Sequence, residues 1–158
     1  MEKLQLGKSD LYVSPVGLGC MGFSHASGDP TADDEAIEML RAAHEIGYDF
    51  YDTAEAYVGV KPDGTISYNE EGYAKAKALL DLLDAMANEK GCTKAQLSLA
   101  WMINKEPHII PIPGTRKLHR LKENFGAASV PMTAEEIALI DAKLDTMDFD
   151  VFGGHAAK

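Results

Sequence analysis

Basic residues are scarce in this 158-residue chain: 15 lysines and arginines stand against 25 aspartates and glutamates, a net charge of −10. A general nucleic-acid binder needs a basic face to displace counterions from phosphates, and this balance argues against that class. Cysteine is scarcer still. Cys20 and Cys92 make neither a CxxC pair nor a disulfide framework, and no Cys/His cluster has zinc-like spacing, so reduced thiols and no metal site are expected. No apolar run approaches bilayer-crossing length, and residues 1–8 lack an apolar signal core; a cytoplasmic location away from membranes is the expectation. What is present is ordinary for a folded protein: 46% hydrophobic and 25% charged residues exclude a disordered chain. At about 150 residues a chain buries roughly 68 to 70% of its extended surface, enough for one core. Residues 1–158 read as a single domain without repeats or an internal linker.

Residues 4–13 alternate loosely around Gly7-Lys8-Ser9-Asp10, the pattern of a short hairpin. The apolar stretch from Val13 to Phe23, with Gly17, Gly19 and Gly22, predicts a buried strand closely approached by another segment. Gly28-Asp29-Pro30 breaks the chain, after which Thr31 and Asp34 are placed to cap a helix over 33–46. Ile37, Leu40, Ala43 and Ile46 form its expected core stripe, and Gly47 its stop. Tyr48 to Asp52 reads as a second strand, parallel to the first by the βαβ rule. Residues 58–68, with Gly59, Pro62 and Gly64, read as loop. A helix is predicted over 74–90, another capped by Thr93-x-x-Gln96 to about Asn104, a third strand over 108–112 despite Pro111, and two further helices, the last capped by Thr133-x-x-Glu136.

Two places could carry chemistry. Arg116, Lys117, Arg120 and Lys122 fall within nine residues that contain no acid, at a strand-to-helix junction where free N–H groups and the helix dipole favour an anion. That run reads equally as a solvated helix face or as a phosphate site, and its contrast with the net charge favours the site. Asp52-Thr-Ala-Glu-Ala-Tyr57 begins at the C-terminal end of a predicted strand, the edge at which parallel α/β folds bind ligands. There Asp52, Glu55 and Tyr57 either face a site or serve as cap and packing. The glycines at 17, 19 and 22 do not fit a dinucleotide fingerprint, because the helix starts about ten residues later. Of the histidines only His25, in the loop after the first strand, lies on the site edge.

Together these motifs resemble the aldo-keto reductase family. The matching pieces are Val13-Ser-Pro-Val-Gly-Leu-Gly-Cys-Met-Gly-Phe23, Asp52-Thr-Ala-Glu-Ala-Tyr57 with Asn69-Glu-Glu71, and Ile110-Pro-Ile-Pro-Gly-Thr-Arg-Lys-Leu-His-Arg-Leu-Lys-Glu-Asn124. The resemblance implies a (β/α)8 TIM barrel that reduces aldehydes and ketones with NADPH through a tetrad of Asp, Tyr, Lys and His. Asp52 and Tyr57 match the tetrad's Asp and acid Tyr. Gly114, Thr115, Arg116, Arg120, Glu123 and Asn124 match the segment that holds the adenosine end of NADPH.

A barrel of this kind needs roughly 250 residues, and this chain passes from the Asn-Glu-Glu segment almost directly into the family's seventh helix. Strands three to seven are missing, and with them the Lys and His. The implied fold is α/β, a partial barrel with about three parallel strands in the order 2-1-8 plus the N-terminal hairpin. Its N-terminal barrel part spans 1–71, its C-terminal part 74–147, and a tail 148–158. The right-handed crossover rule would place the helix 74–90 on the former barrel interior. If it lies elsewhere, an apolar sheet face stays open and self-association through it is expected. The implied partners are a small carbonyl substrate and NADPH, with turnover by the shortened chain doubtful.

Overall fold

The computed structural model describes residues 1–24, 29–54, 70–106 and 108–147. The hairpin forms as expected: β1 (Leu4–Gln5) pairs antiparallel with β2 (Tyr12–Val13), and Gly7 takes the positive φ of 60° its turn requires. Its exit is fastened to the body of the protein. Ser14 N–H donates to Asp49 Oδ1 at 2.5 Å, Asp49 N–H donates to Ser14 Oγ at 3.3 Å, and Lys3 pairs with Asp49.

The apolar segment after Ser14 is shorter as a strand than its composition suggests. β3 covers Leu18–Gly19, and Met21–Ser24 turns into the short helix α1. α2 (Asp33–Ile46) follows, then β4 (Tyr51–Asp52), parallel to β3 with Leu18 opposite Tyr51 and Gly19 opposite Asp52. On the other side of β3, Gly17 N–H donates to Pro111 O at 2.9 Å, Gly19 N–H donates to Pro113 O at 3.4 Å, and Gly19 bridges Gly114 in parallel. The predicted third strand over 108–112 is therefore an extended segment joined to β3 by one bridge, displaced toward 111–114. Pro111 and Pro113 have no N–H to return to β3, so the ladder cannot close.

Among the described residues the remaining helices are α3 (Glu70–Lys90), α4 (Lys94–Lys105), α5 (Leu118–Gly126), continued by a 3-10 turn at Ala127–Ser129, and α6 (Ala134–Asp145). α4 and α6 carry the reciprocal capping boxes read from Thr93/Gln96 and Thr133/Glu136. α2 does not use the expected cap. Its N-cap is Ala32 with no side-chain bond, Asp34 Oδ1 accepts from the Glu35 N–H, and among the described residues Thr31 Oγ1, which is buried, has no hydrogen-bond partner.

Among the described residues two apolar clusters form the interior. The first joins Val16, Leu18, Phe23, Ala43, Tyr48 and Leu121, so α2 and α5 lie together on one face of the strands. Tyr48 is buried there and donates its hydroxyl to Leu121 O at 2.9 Å, and burial pushes that phenol's pKa up. The α2 stripe is rotated from expectation: Ala36, Met39, Ala43 and Ile46 pack inward, whereas Ile37 and Leu40 are 47% and 36% exposed. The second cluster joins Leu83, Met86 and Ala87 of α3 to Leu97 of α4 and Ile140 of α6. The inward placement expected for α3 is thus not seen. Its leucine face finds apolar cover on α4 and α6, and through α4 and α5 it belongs to the helical layer that reaches α2. Across the opposite sheet face, Gly17 lets Phe50 and Ile112 close in: a Cβ there would lie 2.7 Å from the Phe50 ring and 2.9 Å from Ile112 Cγ2.

Candidate active site and phosphate-binding edge

Gly19 brings the two chemistry-bearing segments of the sequence together. Asp52 is its register partner on one side and Gly114 its bridge partner on the other, so Asp52 and the start of the basic segment stand about two strand spacings apart, roughly 10 Å. The approach depends on the missing side chain. A Cβ on Gly19 would meet Ile112 O at 2.7 Å and Gly114 N at 3.4 Å. Cys20 extends the ladder by donating its N–H to Asp52 O at 2.9 Å, and its thiol pKa is pushed up by burial and then by the Asp52 charge. A nucleophilic thiolate at Cys20 is therefore disfavoured.

Asp52 occupies the C-terminal end of β4, as the sequence implied. Tyr57, Glu55 and His25 lie outside the described residues.

The basic segment lies on the same edge. Thr115 Oγ1 accepts the Lys117 N–H at 3.1 Å, turning the chain into α5, whose N-cap, Lys117, offers no side-chain cap. An uncapped helix start presents N–H donors to solvent, together with the positive end of the dipole. Arg116 donates to Asp29 O at 2.9 Å, which ties this loop to the segment leading into α2. Arg120 pairs with Glu123 at 2.6 Å. Glu123 also bonds Thr93, and these two partners hold its carboxyl below the usual carboxylate range, so it is ionised near neutrality. A guanidinium has five N–H donors, so its bond to Glu123 does not exhaust Arg120. Asn124 is buried behind the helix and, unlike Arg120, does not open to solvent.

The sequence reading missed the Asp29 carbonyl and the Thr93 hydroxyl as supports of this segment. The first is a backbone atom and the second sits on a different helix, so neither leaves a local signal. The Arg120/Glu123 pair has one, the i, i+3 spacing of opposite charges on a helix. The residue types present suit a phosphate group: the exposed cations Arg116, Lys117 and Arg120 lie at or near the start of α5, which has no side-chain cap, beside a strand end. Among the described residues no cluster of His, Cys, Asp and Glu could hold a metal ion, and no helix is long and apolar enough to cross a membrane.

Comparison with known proteins gives one consistent result. The model of the aldo/keto reductase family matches residues 15–76 and 60–145, so residues 60–76 belong to both matched stretches. The aldo-keto reductase str7 of Strobilurus tenacellus is 34% identical over 73 residues, which span 46% of this chain and 22% of that protein. Aldose reductase from Giardia lamblia aligns at 23% identity and a TM-score of 0.40, over 47% of this chain and 26% of that one. The aligned part of this chain thus spans about a quarter or less of the length of these relatives.

Proposed function

The chain belongs to the aldo/keto reductase family, and from that premise we propose that it is built on an NADPH-dependent oxidoreductase of the kind that reduces aldehydes and ketones to alcohols. The carrying observation is Gly19, which sets Asp52 on one side and the segment of Gly114, Thr115 and Arg116 on the other. In this reading β4, β3 and the 111–114 segment are the second, first and eighth strands of a barrel in the order 2-1-8. Arg116 and Arg120 would hold the 2′-phosphate of NADPH, with Gly114, Thr115, Glu123 and Asn124 around the adenosine. Bound NADPH supplies the hydride.

Asp52 and Tyr57 would be the surviving half of the proton-donating tetrad. A phenol has an unperturbed pKa near 10 and needs charged neighbours to serve as an acid at neutrality. The Lys that would lower it and the His that would orient a carbonyl belong to the missing strands. Loss of orientation and electrostatic stabilisation together lowers turnover by many powers of ten. The alternative is a non-catalytic remnant that binds NADP(H) or a partner chain. Self-association through the sheet face also remains a proposal, with Ile112, 41% exposed, as its most accessible apolar side chain.

Titration with NADPH and NADH, followed by cofactor fluorescence and thermal shift, tests the cofactor reading. NADPH is expected to bind more tightly than NADH, and Arg116→Ala with Arg120→Ala to weaken NADPH on the order of 10- to 100-fold, as lost charge-assisted hydrogen bonds imply. An absence of any response at millimolar NADPH would refute it. Turnover of a simple aldehyde that disappears in Tyr57→Phe would show instead that the chemistry is intact.

A further inference from the structure

One side-chain amide ties two helix ends together. Gln96 Oε1 accepts the Thr93 N–H at 3.1 Å, which closes the capping box at the start of α4, and Gln96 Nε2 donates to Glu123 O on α5, also at 3.1 Å. Glu123 O is one of the last four carbonyls of its helix, the ones that lack a partner within it. The N–H four residues on, that of Ala127, turns to Asn124 O and Phe125 O instead. A donor on one side and an acceptor on the other fix which end of the amide faces which helix. Gly126 leaves the room for it: a Cβ there would lie 2.8 Å from Gln96 Nε2.

The residue that Gln96 holds also carries a cation of the phosphate edge. Glu123 accepts from Arg120 Nη1 at 2.6 Å, three residues earlier on the helix, and the Glu123 side chain is 13% exposed against 54% for Arg120. The carboxylate is thus a sheltered rest for an outward-facing guanidinium, and Thr93 hydrogen-bonds the same carboxylate from α4. A solvated arginine gives up rotamer freedom when it grips an anion, whereas one already held has less to lose.

We infer that Gln96 is a positioning residue for Arg120: by holding the Glu123 turn of α5 against the start of α4, it presents the guanidinium at the phosphate edge. The order it imposes on Arg120 stands on these contacts. The gain in NADPH affinity that follows rests on the cofactor reading above.

The experiment measures the two separately. In proton–nitrogen NMR spectra, the Nε–Hε signal of Arg120, one of three arginines in the chain, is assigned by its loss in Arg120→Lys and is expected to be protected from solvent exchange. Gln96→Glu keeps a capping box, which takes Glu as readily as Gln, but sets a carboxylate oxygen against Glu123 O. It should abolish the protection and weaken NADPH about tenfold, the worth of one hydrogen bond to a charged group, while NADH, which has no 2′-phosphate, changes little. Gly126→Ala crowds Gln96 Nε2 without touching the box and repeats the test should Gln96→Glu lose its fold. Thr133→Ala removes the equivalent cap on α6 and should leave both the Arg120 signal and the preference for NADPH over NADH as in wild type, which separates positioning from a general loss of stability. An Arg120 signal that is unprotected in wild type, or that stays protected in both Gln96→Glu and Gly126→Ala, would overturn the inference. A wild type with a protected Arg120 and no affinity for NADPH would refute the cofactor reading instead, and the Arg120 signal in the two variants would still decide the positioning.

Discussion

Gly19 and Gly22 lie three residues apart in one apolar stretch, yet they tolerate change very differently. A Cβ on Gly22 meets nothing within 4 Å, whereas one on Gly19 strikes a backbone carbonyl that has little room to move. Gly19→Ala is expected to cost about 1 to 3 kcal/mol, the range for overpacking, and to weaken NADPH binding by parting the two segments it holds together. Gly22→Ala should leave both nearly unchanged; paired denaturation curves and cofactor titrations check the contrast. The composition of the stretch announced that something approaches it closely, but not at which glycine. That depends on the partner segment more than 90 residues later in the chain.

At the scale of elements, short-range signals were the most legible. Both Thr-x-x-Glu/Gln boxes form, and Gly47 and Gly91 take the positive φ values that end α2 and α3. The box on α6 has a further tie, because Glu136 also pairs with Lys90 of α3 at 2.7 Å. The Lys90 bond, then the Thr133 N–H, hold the Glu136 carboxyl below its usual range. A carboxyl depressed in the folded state contributes stability that is present above its unfolded value, near 4.3, and is lost as pH falls through the folded value. Thermal stability should therefore decline below about pH 4.5, with a shallower decline in Glu136→Gln. Thr133→Ala should cost about 0.5 to 2 kcal/mol at neutral pH, the worth of an N-cap, read from chemical denaturation. Such signals were not always used: the cap offered by Thr31 and Asp34 for α2 does not form. The strand over 108–112 was read from β-branched residues, but its prolines withhold the N–H groups a ladder needs.

For the whole molecule, α4 decides whether the two clusters behave as one body. Ile103 packs into the cluster around Leu18 and Tyr48, and Leu97 and Trp101 belong to the one around Met86. Trp101 Nε1 donates to Asp141 at 3.0 Å and Lys105 binds the same carboxylate at 2.8 Å, locking α4 to α6. Fluorescence of Trp101, the single tryptophan, and far-UV circular dichroism should accordingly report one coincident unfolding transition. Leu97 is fully buried, so Leu97→Ala should shift both probes together by about 2 to 5 kcal/mol.

By itself the sequence determined the family motifs, the cationic run within a chain of net charge −10, the capped helices and their glycine stops. Each of these is a short-range pattern whose energy is realised within a few residues. Tertiary structure alone decided which flank of α2 faces the core, where α3 finds cover, and that Asp52 and Gly114 share Gly19 as a neighbour. The apolar arc on α2 is wider than any one contact, and the leucines of α3 can be satisfied by any apolar surface. Only the presence or absence of a neighbouring element selects among those solutions, and the neighbours come from distant parts of the chain.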